Sequence, residues 1–257
     1  MRLDIYLYTE GYVKSRQKAK TLIEDGSVFI NGKKINKPSY EMDIENEYKI
    51  EINDLCPFVS RGGLKLEKIL QVYCIDLSGK TAIDIGASTG GFTHCMLLRG
   101  VKKVYAIDSG SSQLDKLLLN DKRVISMENF NARNLTFNDI GEKVDIITID
   151  VSFISQTHII GSAINLLCDN GLYIGLIKPQ FEVGREYIGK GGIVKDKKAR
   201  LLAVNKVIEH SKACGLKCIG FIKSPIEGGD GNVEFVAIFS KQGEEFDPLK
   251  IKKTVLN

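Results

Sequence analysis

Thr81-Ala82-Ile83-Asp84-Ile85-Gly86-Ala87-Ser88-Thr89-Gly90-Gly91-Phe92 is the stretch on which the reading of the fold turns. A short apolar run passes into a turn of small residues and then into a helical pattern. Glycine and alanine there let a ligand approach the backbone closely. Three ligands or chemistries compete for the turn. A dinucleotide would want Gly-x-Gly-x-x-Gly, but Ser88 stands at the second glycine. Gly86-Ala87-Ser88-Thr89-Gly90 matches the Gly-x-Ser-x-Gly nucleophile elbow of hydrolases, and Asp150 and His210 follow in triad order. That context is wrong, because an elbow follows earlier strands of its own sheet and this strand is the first of its domain. The third reading is S-adenosylmethionine (SAM), with Asp84, Gly86, Ser88, Gly90 and Gly91 facing its amino acid portion. An acid ending the next strand would then accept the ribose hydroxyls. Asp108 ends Val104-Tyr105-Ala106-Ile107-Asp108 at that place. Capping of the turn Ser109-Gly110-Ser111-Ser112 is its alternative role.

Working outward, apolar runs at 81–85, 103–107, 123–126, 144–150 and 172–177 alternate with helical segments. Two more, 216–222 and 233–239, are separated only by Glu227-Gly228-Gly229-Asp230-Gly231. The pattern predicts an α/β domain with a doubly wound, mostly parallel, Rossmann-like sheet of seven strands whose last strand is antiparallel. Sheets of this class bind ligands at the carboxyl ends of their strands.

Charged residues stand where those strands begin or end. Asp150 closes one run, Lys178 closes another before Pro179, Lys65 lies ahead of the first strand in Ser60-Arg61-Gly62-Gly63-Leu64-Lys65, and Glu234 opens the last strand. Each alone could be a surface charge at a frayed end. Together they predict two ammonium groups and two carboxylates around one pocket, suited to holding an alcohol and moving its proton. Methyl transfer to such an alcohol depends mainly on aligning it with the methyl carbon.

The chain has 257 residues, 43% of them hydrophobic and 26% charged, which suits one large core and a smaller second one. No apolar run approaches the roughly 18 residues of a spanning helix, and Asp4 interrupts what would be the apolar part of a signal peptide. No membrane partner and a cytoplasmic location are expected. The six cysteines form no Cys-x-x-Cys, and His94, His158 and His210 are dispersed, so no metal site is expected. The net charge of +4 is unevenly placed: residues 1–40 hold eight Lys/Arg against four Asp/Glu, and the remainder balances. Ser15 is placed to cap a helix over about 16–25, Asp25-Gly26 turns into Val28-Phe29-Ile30, and Asn31-Gly32 makes a tight turn. Arg2, Arg16, Lys18, Lys20, Lys33 and Lys34 form a surface suited to RNA phosphates. An acid-rich stretch from Glu41 to Asp54, then Cys56-Pro57, marks the exit from this module. The division is 1–58, 59–245 and a tail at 246–257.

The residues also resemble known families. Arg2-Leu3-Asp4, Ser15-Arg16-Gln17-Lys18-Ala19, Leu22 to Gly32 and Lys37-Pro38 are similar to an S4 RNA-binding domain, a small α+β unit. Ser60 to Leu66, Asp84 to Phe92, Asp150 to Ser155, Ile177 to Glu182, Gly189 to Val194 and Gly231 to Glu234 resemble the TlyA family, often labelled hemolysin A. The resemblance implies a SAM-dependent methyltransferase domain of the FtsJ-like type, acting on the 2′-hydroxyl of cytidine in ribosomal RNA within the ribosome or its subunits. It also carries over a Lys-Asp-Lys-Glu tetrad onto Lys65, Asp150, Lys178 and Glu234. In that scheme Lys178 handles the 2′-hydroxyl proton, Asp150 orients it, and Lys65 and Glu234 hold the ribose. The family has a longer form that modifies both subunits and a shorter one restricted to 23S rRNA, and this chain looks like the shorter. The hemolysin label adds a membrane-active alternative, for which no strongly amphipathic interfacial helix is evident. The loop from Phe181 to Lys197 could close over RNA or cofactor, or be a disordered connection. Glu128 and Asn131 follow the third strand of the sheet, where an adenine edge would lie. Oligomeric state is open.

Overall fold

The computed structural model describes residues 1–257 except Lys14, Asp25, Asp54, Leu55, Gly229 and Asp230 and the side chain of Gln17. The expected turns at Asp25-Gly26 and 227–231 thus lie partly outside the described residues. The chain divides into two compact units, Met1–Pro57 and Phe58–Asn257.

In the first unit, helices α1 (Leu3–Thr9) and α2 (Arg16–Glu24) accompany a sheet of β1 (Val28–Ile30), β2 (Lys33–Lys34) and β3 (Ile50–Ile52), ordered β2-β1-β3 and antiparallel throughout. Ser15 Oγ accepts the Lys18 amide N–H at 3.1 Å, the side-chain cap expected there. Asn31 and Gly32 both adopt positive φ (49° and 76°), as a two-residue hairpin turn requires. The apolar stripe Ala19, Leu22 and Ile23 of α2 packs on Leu3, Leu7, Val28, Ile30 and Met42. The acid-rich stretch is more than an exit: Ile50–Ile52 inside it forms β3, with Val28 opposite Ile52.

The second unit runs through α3 (Gly62–Val72), β4 (Thr81–Ile85), α4 (Gly91–Leu98), β5 (Lys103–Ile107), α5 (Lys116–Leu119), β6 (Val124–Met127), α6 (Phe137–Ile140) and β7 (Val144–Ile149). It continues with α7 (Thr157–Ile164), β8 (Leu167–Ile177), α8 (Pro179–Glu182), α9 (Lys197–Ala213), β9 (Lys217–Lys223), β10 (Phe235–Ser240) and α10 (Pro248–Leu256). The sheet order is β6-β5-β4-β7-β8-β10-β9, parallel from β6 to β8, with β10 antiparallel to both neighbours. Alternation along β4 sorts the two layers. Ile83 and Ile85 join the core with Ile159 and Ile160 of α7 and Val204 and Val207 of α9, whereas Asp84 points the other way and meets Thr93 of α4. Every residue of β4 is buried. The chain leaves β4 toward β5 on one side, and β7 flanks the other, so a crevice opens at the carboxyl end of β4 where the winding reverses.

Residues 246–257 are not a tail. Asp247 caps α10 by accepting the Leu249 N–H at 2.8 Å, and Ile251 and Val255 are buried in the main core. An apolar pair one turn apart is the helical signal there.

Candidate active site

The glycine turn is built by φ/ψ rules first. Gly86 has φ 79°, and a side chain on it would collide with the carbonyl oxygen of Asp150, so β4 and β7 can end side by side only with glycine there. Ser88 also lies in the left-handed region at φ 48°, and its N–H donates to Asp108 Oδ2 at 2.8 Å. Asp108 Oδ1 accepts the Gly110 N–H at 2.7 Å. The Asp108 carboxylate thus caps the turn after its strand and clamps it to the glycine turn while lining a cavity. The cavity measures about 660 Å³ and is walled by Gly86, Ser88, Asp108, Gln113, Asn131 and Asp150 among its polar groups and by Phe130, Val151 and Phe153 among its apolar ones. That size and mixture suit a nucleoside-sized ligand.

Gly90 and Gly91 open α4 behind the turn and, like Asp84, are not in the cavity wall. Asp84 departs further from expectation. It is fully buried and accepts hydrogen bonds from the Thr93 hydroxyl at 2.6 Å and the Thr148 hydroxyl at 2.8 Å. Burial pushes its carboxyl up to about 6, against the two hydroxyl bonds and helped by the charge of Asp150. Asp84 therefore supports the turn from beneath. Glu128, expected near the adenine edge, accepts N–H groups from Ser112, Gln113 and Leu114 at 2.6, 2.9 and 3.3 Å. Those bonds hold its carboxyl below the ordinary range and make it the organiser of the 109–114 loop. Asn131 does line the cavity, with its side-chain oxygen accepting the Arg133 N–H at 3.1 Å.

The four strand-end charges pair in twos. Lys65 Nζ donates to Glu234 Oε2 at 2.5 Å, with both side chains almost fully buried. Lys178 Nζ lies 2.5 Å from Asp150 Oδ1 and donates to Ser152 Oγ at 3.0 Å. Register brings the pairs together: Phe235 faces Ile177 across β10 and β8, which sets Glu234 opposite Lys178, a separation of about 5 Å between backbones. Ile149 pairs with Ile85 on one side and Gly175 on the other, so Asp150 stands between the glycine turn and the Lys178 strand. Asp150 alone of the four also lines the cavity. An ammonium–carboxylate pair with its carboxylate in the wall of a nucleoside-sized cavity can grip a hydroxyl and take up its proton.

Two features went unassigned from sequence. Phe153 is 93% exposed at the cavity rim, holds φ 65°, and lies 5.3 Å from the Phe181 ring. An aromatic at the centre of a loop that follows a strand was its only signal. Glu182 is buried and accepts the Ser155 hydroxyl and, at 3.0 Å, the Gln156 N–H, so it ties the loop after β7 to the turn after β8.

The hydrolase reading does not survive this geometry. Asp150 pairs with Lys178, and His210 lies in the last turn of α9, with no bond joining it to Asp150 or Ser88 among the described residues. In the first unit, Arg2 and Arg16 are committed to the buried carboxylate of Asp4, each at 2.9 Å, and Lys20 pairs with Glu24 at 3.8 Å. Those two arginines hold Asp4 below the ordinary carboxylate range despite its burial. Lys33 and Lys34 are exposed on β2 without an ion-pair partner among the described residues.

Residues 58–241 match the FtsJ-like methyltransferase model, and residues 1–47 match the S4 domain. The chain belongs to the FtsJ-like methyltransferase family. It is 44% identical over 242 residues to hemolysin A of Brachyspira hyodysenteriae, covering 93% of this chain and 99% of that protein. It is 38% identical over 234 residues to the 16S/23S rRNA (cytidine-2′-O)-methyltransferase TlyA of Mycobacterium tuberculosis, covering 91% of this chain and 87% of that one. A hemolysin-titled structure from Streptococcus thermophilus superposes with TM-score 0.79 at 38% identity, covering 99% of this chain and 94% of the other. No helix among the described residues is long and apolar enough to cross a membrane.

Proposed function

We propose that this methyltransferase uses SAM to methylate the 2′-hydroxyl of cytidine in ribosomal RNA, with 23S rRNA of the large subunit as its first target and 16S rRNA as a second to be tested. The observation that carries this reading is the Lys178–Asp150 pair, whose carboxylate lines the cavity, with Glu234, itself paired to Lys65, opposite Lys178 across β10 and β8. A hydroxyl nucleophile needs a proton acceptor and a fixed line of attack. A base nitrogen, which already carries a lone pair, has less use for two ammonium groups.

Gly86, Ser88 and Asp108 suit SAM in the cavity: the turn offers backbone close to the ligand, and Asp108 offers carboxylate oxygens to a ribose. Bound there, SAM would supply an electrophilic methyl group to the 2′-oxygen and leave as the neutral thioether, its sulfur keeping the bonding pair. Lys178 holds the 2′-hydroxyl and takes or stabilises loss of its proton. Asp150 orients Lys178 and bridges the cavity to the target. Lys65 and Glu234 position the ribose. Phe153, fully exposed at the rim, offers a stacking face to the target base. The S4 unit holds RNA through phosphates, with Lys33 and Lys34 as its readily available cations. The proposed substrate sets the work of the protein in the cytoplasm among ribosomes.

The test is methylation of purified large and small ribosomal subunits with labelled SAM, followed by mapping of ribose methylation. Label on a cytidine 2′-oxygen is expected, and label on a base would overturn the proposal.

A further inference from the structure

The segments Gly189–Val194 and Gly231–Glu234, distant in sequence, are joined by one side chain. Asn232 is 1% exposed; its Oδ1 accepts the Val194 N–H at 3.0 Å and its Nδ2 donates to the Gly192 carbonyl at 3.0 Å. A buried amide with both ends satisfied by another segment's backbone is a fixed tie, since breaking it strands polar groups away from water. The loop is shaped to receive it. Gly191 and Gly192 both have φ 77°, the Gly189 N–H donates to the Ile193 carbonyl at 2.9 Å, and Val194 is buried with its carbonyl accepting from Arg200 Nε at 2.9 Å. The connection expected as either a cover or disorder is thus an ordered arm.

The arm is attached at both ends to the reactive edge of the sheet. It starts just after Glu182, four residues beyond Lys178, and its far end is tied to Asn232, two residues before Glu234. Arg185, Lys190 and Lys195 project from it, exposed and without ion-pair partners among the described residues, and Tyr187 is half-exposed among them. The second unit holds 27 Lys/Arg against 22 Asp/Glu, a net positive field that draws a polyanion, and within the arm the three cations are set against the one acid Glu186. None of these residues lines the cavity.

We propose that the 184–195 arm is a second phosphate-holding surface, which clamps the RNA strand beside the target nucleotide, and that Asn232 is the positioning residue that latches it to the Glu234 strand. This rests on the RNA-methyltransferase reading. Because the arm and the cavity share no residue, affinity for SAM is an internal control.

The full-length protein is tested as wild type, as the triple variant Arg185→Gln/Lys190→Gln/Lys195→Gln, and as Asn232→Ala. The readouts are KM for ribosomal subunits, kcat, SAM affinity, and RNA affinity across a salt series. For the triple variant, SAM affinity is expected to stay within about twofold, KM to rise, and the slope of log affinity against log salt to fall by about 2 to 3, one per lost phosphate contact. Asn232→Ala should move KM and the slope in the same direction, with kcat falling less than KM rises. A structural defect alone would lower SAM affinity and kcat together without touching the salt slope. The triple variant changes only exposed side chains, so it remains decisive if Asn232→Ala fails to fold. An unchanged KM and slope in the triple variant would refute the arm while leaving the methyltransferase reading intact. Wild-type protein with no salt-sensitive RNA affinity would refute both.

Discussion

In the proposed reaction four residues handle the hydroxyl, and Lys178 is assigned the largest share. Its ammonium touches both Asp150 and Ser152, so replacing it removes the proton-handling group and leaves Asp150 without its cation. Lys178→Ala is expected to lower methylation by about 10²–10⁴-fold, the range for a positioned acid or base, with SAM affinity nearly unchanged because Lys178 is outside the cavity wall. Single-turnover methylation together with SAM titration reads both quantities, and near-normal turnover would remove Lys178 from the mechanism. Asp84 has a separate, conformational consequence. Its carboxyl is ordinary at 3.8 in the unfolded chain and raised to about 6 by burial in the folded one. The stabilisation from a neutral Asp84 is therefore complete below the unfolded value and lost as pH rises through the folded one. Asp84→Asn cannot ionise and keeps partners for both threonine hydroxyls. Its stability advantage over wild type should grow between about pH 4 and pH 7, reaching about 3 kcal/mol at most. Denaturant unfolding at several pH values measures it, and parallel pH curves would contradict the assignment.

Between residues and the whole lie the loops that present them, and here Glu182 is the tie. It holds Ser155 and the Gln156 N–H, and so closes the loop that begins at Asp150 and carries Ser152 and Phe153. Glu182→Ala leaves a buried N–H unpaired, at a cost of about 1–3 kcal/mol, which for a unit of this size lowers Tm by about 2–10 °C. Glu182→Gln, able to bond the same partners through its amide, should lose less than half as much in thermal denaturation. Equal losses would mean that packing, not the polar tie, matters at this position. The strands of the large sheet were legible because each is a compact apolar run bounded by turn residues, and β4, β5 and β9 lie within a residue of their expected limits. That the four charges would find partners was legible because a charge beside buried apolar strands is costly unless paired. Other parts were hidden for physical reasons. Ile50–Ile52 is three residues long inside an acidic stretch, and only pairing with β1 makes it a strand. Ile251 and Val255 of α10 are two apolar contacts among lysines. Asp84 and Asp108 look alike in sequence as acids at or near strand tips, and only the alternation of β4 buries the first while the second reaches the cavity.

On the scale of the molecule, the S4 domain and the methyltransferase domain fall in two separate units. Each has its own core: Leu3, Leu7, Ile23 and Val28 in the first, and the strands and helices around Ile147, Tyr173 and Phe235 in the second. Separate cores allow separate stability, so removal of residues 1–57 should leave the second unit folded with its cavity intact. The first unit as a whole holds nine Lys/Arg against ten Asp/Glu, so its attraction for RNA is local: residues 1–40 hold eight of those cations against four acids, and Lys33 and Lys34 are exposed, although Arg2 and Arg16 spend part of their charge on Asp4. Deletion of residues 1–57 is therefore expected to weaken RNA affinity by at least tenfold at moderate salt and to flatten its salt dependence by about 2 or more in log–log slope. SAM affinity, assigned under the proposed function to the cavity lined by Gly86, Ser88 and Asp108, should change less than about twofold. Binding of ribosomal RNA fragments across a salt series, set against SAM titration of the same protein, separates the two. Equal loss of both affinities would show that the units are not divided in this way, and that the charge imbalance of the first forty residues serves the fold and not the RNA.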